Sequence, residues 1–146
     1  MLRGTQFVLY ARKGSTMAKS FETQINDLLD DFYQLVRDEY EGAAKDVADE
    51  CVVRLKNVKW KTKTGKNYSQ TWRVKKRRWG AYTVHNSKNY QLTHLLENGH
   101  IVVNKKGTYG RAPAYKHIEP VYEWAQDEIE REIRQRIERA QGGIYG

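Results

Sequence analysis

The chain has 146 residues, with 26 Lys and Arg against 18 Asp and Glu, for a formal net charge of +8. Hydrophobic residues make up 39% and charged residues 30%, which allows a packed core and excludes a disordered polyelectrolyte. The single cysteine, Cys51, excludes an internal disulfide framework and a cysteine-rich zinc site, and no run approaches the ~20 apolar residues of a membrane span. An enzyme of the cytosol, a nucleic-acid binder or a structural subunit remain, on a length that fits one domain.

Residues 1–16 stand apart from the rest. Their longest apolar run, Phe7-Val8-Leu9-Tyr10-Ala11, is shorter than a signal-peptide core of ~7–15 residues, and no Ala-x-Ala-like cleavage site follows. The segment reads as a leader, a tag-like remnant or an upstream extension, or else as an arm that docks on a neighbour. Residues 17–146 read as a single domain.

Charge divides that domain into blocks. Ser20 to Leu55 holds ten acids against Arg37, Lys45 and Arg54, whereas Cys51 to Leu96 holds twelve Lys or Arg and no acid. Ile118 to Ala140 holds seven acids and four arginines, so the positive charge comes almost wholly from the centre.

The first block predicts a long helix. Phe21, Ile25, Leu28, Phe32 and Leu35 step by three or four, and Val47, Cys51 and Leu55 continue the stripe. Ser20 is its N-cap candidate, and Gly42 marks a point where it can kink or break. Core packing is the expectation for the stripe, with a subunit-facing coiled coil as the alternative.

Lys61 to Asn67 contains no apolar residue and predicts a mobile loop. Trp72 and Val74, then Tyr82 and Val84, alternate with polar residues and predict an antiparallel hairpin joined near Trp79-Gly80. Tyr90 to Leu96 predicts a short helix ended by Asn98-Gly99, Ile101 to Val103 a third strand, and Asn104 to Gly110 a loop. Val121, Ala125, Ile129, Ile133, Ile137 and Ala140 mark a second long helix, with Pro120 in its first turn and Gly142-Gly143 as its stop. Asp127–Arg131, Glu130–Arg134 and Glu132–Arg136 are spaced to pair on its exposed side.

These residues lack the patterns that catalysis needs. His85, His94, His100 and His117 do not have metal-ligand spacing and read as hydrogen-bonding groups at element ends. Cys51 lies on the apolar stripe and reads as core. The chain has no nucleophile elbow, phosphate-cradling loop or dinucleotide fingerprint. The strongest physical signal is the cluster Arg73, Lys75, Lys76, Arg77 and Arg78 beside Trp72 and Trp79. Cations among aromatics suit phosphate neutralisation and base stacking; a solvated strand face over core tryptophans, or a basic face that meets the acidic first helix of another copy, fits as well.

Across residues 88–120 the order of features resembles a known family. Tyr90-Gln91-Leu92-Thr93-His94-Leu95-Leu96-Glu97-Asn98-Gly99-His100 is followed by a Gly-bearing loop, then by Pro113-Ala114-Tyr115-Lys116-His117-Ile118-Glu119-Pro120 and a long helix. Thr64-Gly65-Lys66-Asn67-Tyr68 with Trp72 matches an earlier element. Together these resemble the neck, or tail-completion, family of head–tail connector proteins of long-tailed siphophages, named after the tenth gene product of a lambdoid coliphage. The version here looks like that of phages of Gram-positive bacteria, and the resemblance covers about residues 18–140.

The resemblance implies an α+β fold, with two long helices packed on a small antiparallel β-sheet and a short helix between strands. It implies a structural virion protein, not an enzyme, with no cofactor and no catalytic or metal site. Copies would form a homo-oligomeric ring between the DNA-filled head and the tail, built in the host cytoplasm. Partners would be the portal, adaptor or head-closure proteins, the tail terminator or tail tube proteins, and genomic DNA in the channel, but no membrane. The cluster Arg73, Lys75, Lys76, Arg77 and Arg78 would face that DNA or an acidic partner ring. Tyr90, Glu97, Gly99, Pro113, His117 and Pro120 would be structural motif residues. A small basic toxin-type RNase, with His85 as acid–base group, or a non-catalytic single-strand binder are the alternatives.

Overall fold

The computed structural model describes residues 19–145, with side chains up to residue 142; the leader-like residues 1–16 lie outside the described residues. The fold is α+β, as expected. The order is α1 (Phe21–Lys56), α2 (Lys63–Ser69), β1 (Trp72–Lys76), a 3-10 turn (Arg78–Gly80), β2 (Tyr82–Asn86), α3 (Tyr90–Asn98), β3 (His100–Asn104), β4 (Gly107–Ala112) and α4 (Glu119–Tyr145). The strands form two separate two-stranded antiparallel sheets, β1-β2 and β3-β4, rather than one.

The chain divides into two compact units. One consists of α1 up to Ala43 and α4 from Glu130; the other is Ala44–Ile129.

In the second unit Leu55 of α1, Tyr68 of α2 and Trp72 of β1 are the buried centre of the core. Val84, Leu92, Leu96, Ile118 and Val121 pack around them, so the adjoining ends of both long helices and the short α3 close over the β1-β2 hairpin. The hairpin register is that of simple alternation: Trp72 faces Asn86, Val74 faces Val84 and Lys76 faces Tyr82. Cys51 is buried in this unit, and burial pushes its thiol above the ordinary value, as the core assignment requires.

In the first unit α1 passes Gly42 without a break. The Arg136 guanidinium lies against Gly42, where a Cβ would approach it to 2.7 Å. Arg136 also reaches Glu39 at 3.6 Å and is held by Glu132 at 2.9 Å, and Glu130 pairs with Arg134 at 2.9 Å, so two of the expected helix-surface pairs form. Ser20 caps α1, its Oγ accepting the Thr23 N–H at 3.2 Å.

Four further expectations need correction. The segment expected as a mobile loop carries α2: Thr62 caps it by accepting the Gly65 N–H at 3.1 Å, and Tyr68 anchors it in the core. The loop expected over Asn104–Gly110 contains the start of β4, whose pairing with β3 is carried by the backbone. The stop expected at Gly142-Gly143 does not occur, because Gly142 keeps helical backbone and glycine ends a helix only by turning left-handed.

The fourth correction concerns the α1 stripe. Val47, Cys51 and Leu55 are buried as expected, but Phe21, Ile25, Leu28 and Phe32 are exposed, Phe21 to 79%. Periodicity identifies an apolar face; it does not say what lies against it.

Candidate functional site

Three features of the described residues stand out chemically: the tip of the β1-β2 hairpin, the apolar face at the start of α1, and a buried polar chain that ties α3 to α4.

At the hairpin tip Trp79 has φ 61°, ψ 29°, the only non-glycine with positive φ among the described residues. Gly80 follows at φ 70°, and the Arg77 N–H donates to the Ala81 carbonyl at 2.7 Å, closing the turn. The left-handed pair turns the Trp79 side chain out of the fold, 87% exposed. Of the tryptophans expected in the core, Trp72 is there and Trp79 is not.

Strand alternation divides the basic cluster. Arg73, Lys75 and, beyond the strand end, Arg77 follow one side, where Arg77 Nε reaches Thr83 Oγ1 at 3.3 Å. Lys76 lies on the opposite side and Arg78 enters the turn. Arg73 Nη1 donates to the Gln70 and Trp72 carbonyls at 2.9 and 2.7 Å, which makes it a strap on the local backbone. Lys75, Lys76, Arg77 and Arg78 are exposed around Trp79.

The start of α1 has the opposite character. Leu29 and Tyr33 are exposed beside Ile25, Leu28 and Phe32. Asp30 and Asp31, also exposed, sit at the edges of this face. One turn of helix places Asp31 beside Leu28 and Asp30 beside Tyr33.

The buried chain runs Glu97, His117, Tyr68. Glu97 Oε2 accepts the N–H groups of His117 and Ile118 at 2.9 and 3.0 Å, and Oε1 accepts that of Glu119 at 2.9 Å. Burial alone would raise the Glu97 carboxyl, but these three N–H groups, with a further contribution from His117, outweigh it and hold the carboxyl below its ordinary value. His117 Nδ1 faces the Tyr115 carbonyl at 2.8 Å and Glu97 Oε2 at 3.0 Å, two acceptors, so it carries a proton. Nε2, on the other side of the ring, meets the Tyr68 hydroxyl at 3.0 Å. Burial, with the Glu97 charge adding, pushes the Tyr68 hydroxyl well above the ordinary tyrosine range, so it stays protonated. Trp60, at ring distances of 5.5 Å from Tyr68, 4.6 Å from Tyr115 and 5.3 Å from His117, walls the chain.

This arrangement brings together two of the expected motif residues, Glu97 and His117. Gly99 supports them: its φ of 72° and ψ of 168° are open to glycine, and a Cβ would come within 2.6 Å of the Ala112 carbonyl. Pro120 sits in the first turn of α4, as expected. Tyr90 and Pro113 are exposed. His85 Nδ1 and His100 Nδ1 are buried without a hydrogen-bond partner. Among the described residues no group of three or more His, Cys, Asp or Glu could hold a metal ion. Among them, too, no helix is long and apolar enough to cross a membrane.

Sequence reasoning missed Tyr68 as the end of the buried chain and Trp79 as a projecting side chain. The Trp-Gly pair at the hairpin joint was the available signal for the second. No family model, curated protein or solved structure matches this chain.

Proposed function

We propose that the chain is a structural, non-enzymatic subunit that assembles with copies of itself, in the manner of the head–tail connector family its motifs resemble. The observation that carries this reading is the exposed apolar face at the start of α1, centred on Ile25, Leu28, Leu29 and Phe32. Soluble monomers rarely leave a contiguous apolar patch above a few hundred Å² uncovered, and such patches mark interaction sites. The charge blocks add a second support, since a chain with an acidic helix and a basic hairpin presents unlike surfaces that can meet head to tail and close a ring. In that setting the partners would be portal, adaptor or head-closure proteins on one side and tail terminator or tube proteins on the other. DNA would pass through the channel, and the location would be the head–tail junction of a virion.

The buried chain favours a mechanical over a catalytic role. His117 is 3% exposed, both Glu97 oxygens are occupied by main-chain N–H groups, and Tyr68 stays protonated. A general base must reach a substrate proton, and these groups are spent on holding α4 in place.

Cross-linking in purified particles, with electron microscopy of the isolated protein, tests the assembly. A ring of many copies is expected; one copy per particle would remove the reading. A second reading, single-strand binding, draws on Trp79 standing exposed among Lys75, Lys76, Arg77 and Arg78, the pairing of base stacking with phosphate neutralisation.

A further inference from the structure

We infer that the β1-β2 hairpin tip of one copy docks on the acid-edged apolar face of α1 of the next copy, Trp79 packing against Leu28, Leu29 and Phe32 while Arg77 and Arg78 meet Asp30 and Asp31. This inference rests on the self-assembly reading and names the two surfaces that would carry it.

The hairpin side of the contact is built at a cost to the chain itself. A left-handed conformation costs an ordinary residue about 1–2 kcal/mol, and Trp79 adopts it at φ 61° while burying almost nothing. Strained backbone of this kind collects at ligand-contacting sites. A large aromatic held out of the fold directly after two arginines combines the residue types that dominate interface hot spots.

The α1 side complements it in both shape and sign. Its apolar arc, Ile25, Leu28, Leu29, Phe32 and Tyr33, is left exposed, and carboxylates border it on both edges. Two α1 faces laid against each other would bring those carboxylates together, and like charges across an interface are unfavourable. Nucleic acid on the hairpin would satisfy the cations but leave the α1 face bare. A hairpin from a second copy covers the apolar arc and pairs both sets of charges at once. Because the two surfaces differ, the contact is heterologous, and a heterologous contact propagates from copy to copy and forms a ring where its rotation closes.

The test uses the full chain, with assembly followed by light scattering over a concentration series and folding followed by thermal melts. Trp79→Ala is expected to raise the half-assembly concentration by roughly 30-fold or more, the loss typical of an anchoring tryptophan, with the melt unchanged. Arg77→Glu/Arg78→Glu and Asp30→Lys/Asp31→Lys should each weaken assembly about tenfold or more, and the chain carrying all four changes should regain it. A Trp79→Cys/Leu29→Cys chain should oxidise into a ladder of linked chains, because the sole native cysteine is buried. Wild type and variants that assemble alike would overturn the contact and leave self-assembly standing. A wild type that stays monomeric and a cysteine pair that gives no ladder would overturn both. A Leu9→Cys/Leu29→Cys chain that closes within one monomer would assign the face to the residues ahead of α1 and overturn the contact. Hairpin variants that still assemble but lose binding to a single-stranded oligonucleotide would assign the tip to nucleic acid and overturn it too.

Discussion

Glu97 is the N-terminal cap of a helix that begins about twenty residues after it. Its carboxylate takes the main-chain N–H groups of His117, Ile118 and Glu119, which a free helix start would leave unpaired. A negative charge at that end is also favoured by the helix dipole. The side chain comes from the last turn of α3, so one residue sets where α4 begins and how it leaves the β1-β2 layer.

Replacing Glu97 should therefore loosen the whole second unit. Hydrogen bonds to a charged group are worth about 1.5–3 kcal/mol each and are not additive, so Glu97→Gln is expected to lower stability by roughly 2–4 kcal/mol in urea unfolding. The pH dependence follows from the depressed carboxyl. The folded form holds its proton more weakly than the unfolded chain, whose ordinary value is 4.5, so the stabilisation is complete above that value and fades as pH falls through the lower folded value. Thermal melts should drop in acid below about pH 4.5 in the wild type, and that part of the slope should be missing from Glu97→Gln.

Gly99 should tolerate no side chain. With φ 72°, ψ 168° and the Ala112 carbonyl in the way of a Cβ, Gly99→Ala combines backbone strain with a clash against main chain. A loss of roughly 2–4 kcal/mol is expected from the urea midpoint. A change below about 0.5 kcal/mol, the usual size for an unconstrained surface site, would show that this turn is not fixed.

What the sequence made legible divides along physical lines. The long helices, the alternating hairpin and the short α3 follow from local periodicity, which needs no knowledge of the partner element. Helix α2 escaped because Lys63 to Asn67 carries no apolar residue; its anchor, Tyr68, and the Trp60 ring over Gly65 lie at its edges. Strand β4 escaped because Gly107-Thr108-Tyr109-Gly110 has no alternation and is exposed on both sides, so backbone pairing alone defines it. Glu97 and His117 were visible as motif letters, but their contact spans about twenty residues and depends on the β3-β4 excursion between them.

The two halves of the α1 stripe should respond oppositely to a charge. Leu55 is 3% exposed in the core, and Leu55→Asp should cost several kcal/mol and abolish the cooperative melt. Leu29 is exposed, so Leu29→Asp should change stability by no more than about 0.5 kcal/mol while preventing assembly. A Leu29→Asp chain that fails to fold would place that face in the core.

Exposed hairpin cations should matter for charge and little for folding. Exposed charges contribute about 0–1 kcal/mol each, so Lys75→Glu/Arg78→Glu should leave the thermal melt nearly unchanged. Any oligonucleotide binding should be non-specific and fall steeply with salt, with a logarithmic slope near −0.7 per phosphate neutralised on a single strand, and the double variant should flatten that slope. Binding that ignores salt would point to recognition other than through phosphates.

Trp79→Gly separates what the hairpin tip does for the fold from what it does for a partner. Glycine enters the left-handed region without the ~1–2 kcal/mol that Trp79 bears at φ 61°. Against that gain, glycine gives the unfolded chain more freedom, a loss of about 0.5–1 kcal/mol. The indole buries almost nothing, so its removal leaves no cavity. The sum predicts a urea midpoint equal to or slightly above wild type, with stability higher by up to about 1 kcal/mol. Assembly, followed by light scattering on the same samples, should weaken as strongly as in Trp79→Ala. A variant that folds as well as wild type or better, yet no longer associates, is the signature of strain kept for contact rather than for folding. If Trp79→Gly instead melts lower by more than about 1 kcal/mol, the tryptophan serves its own chain, and the tip is a fastening of the hairpin.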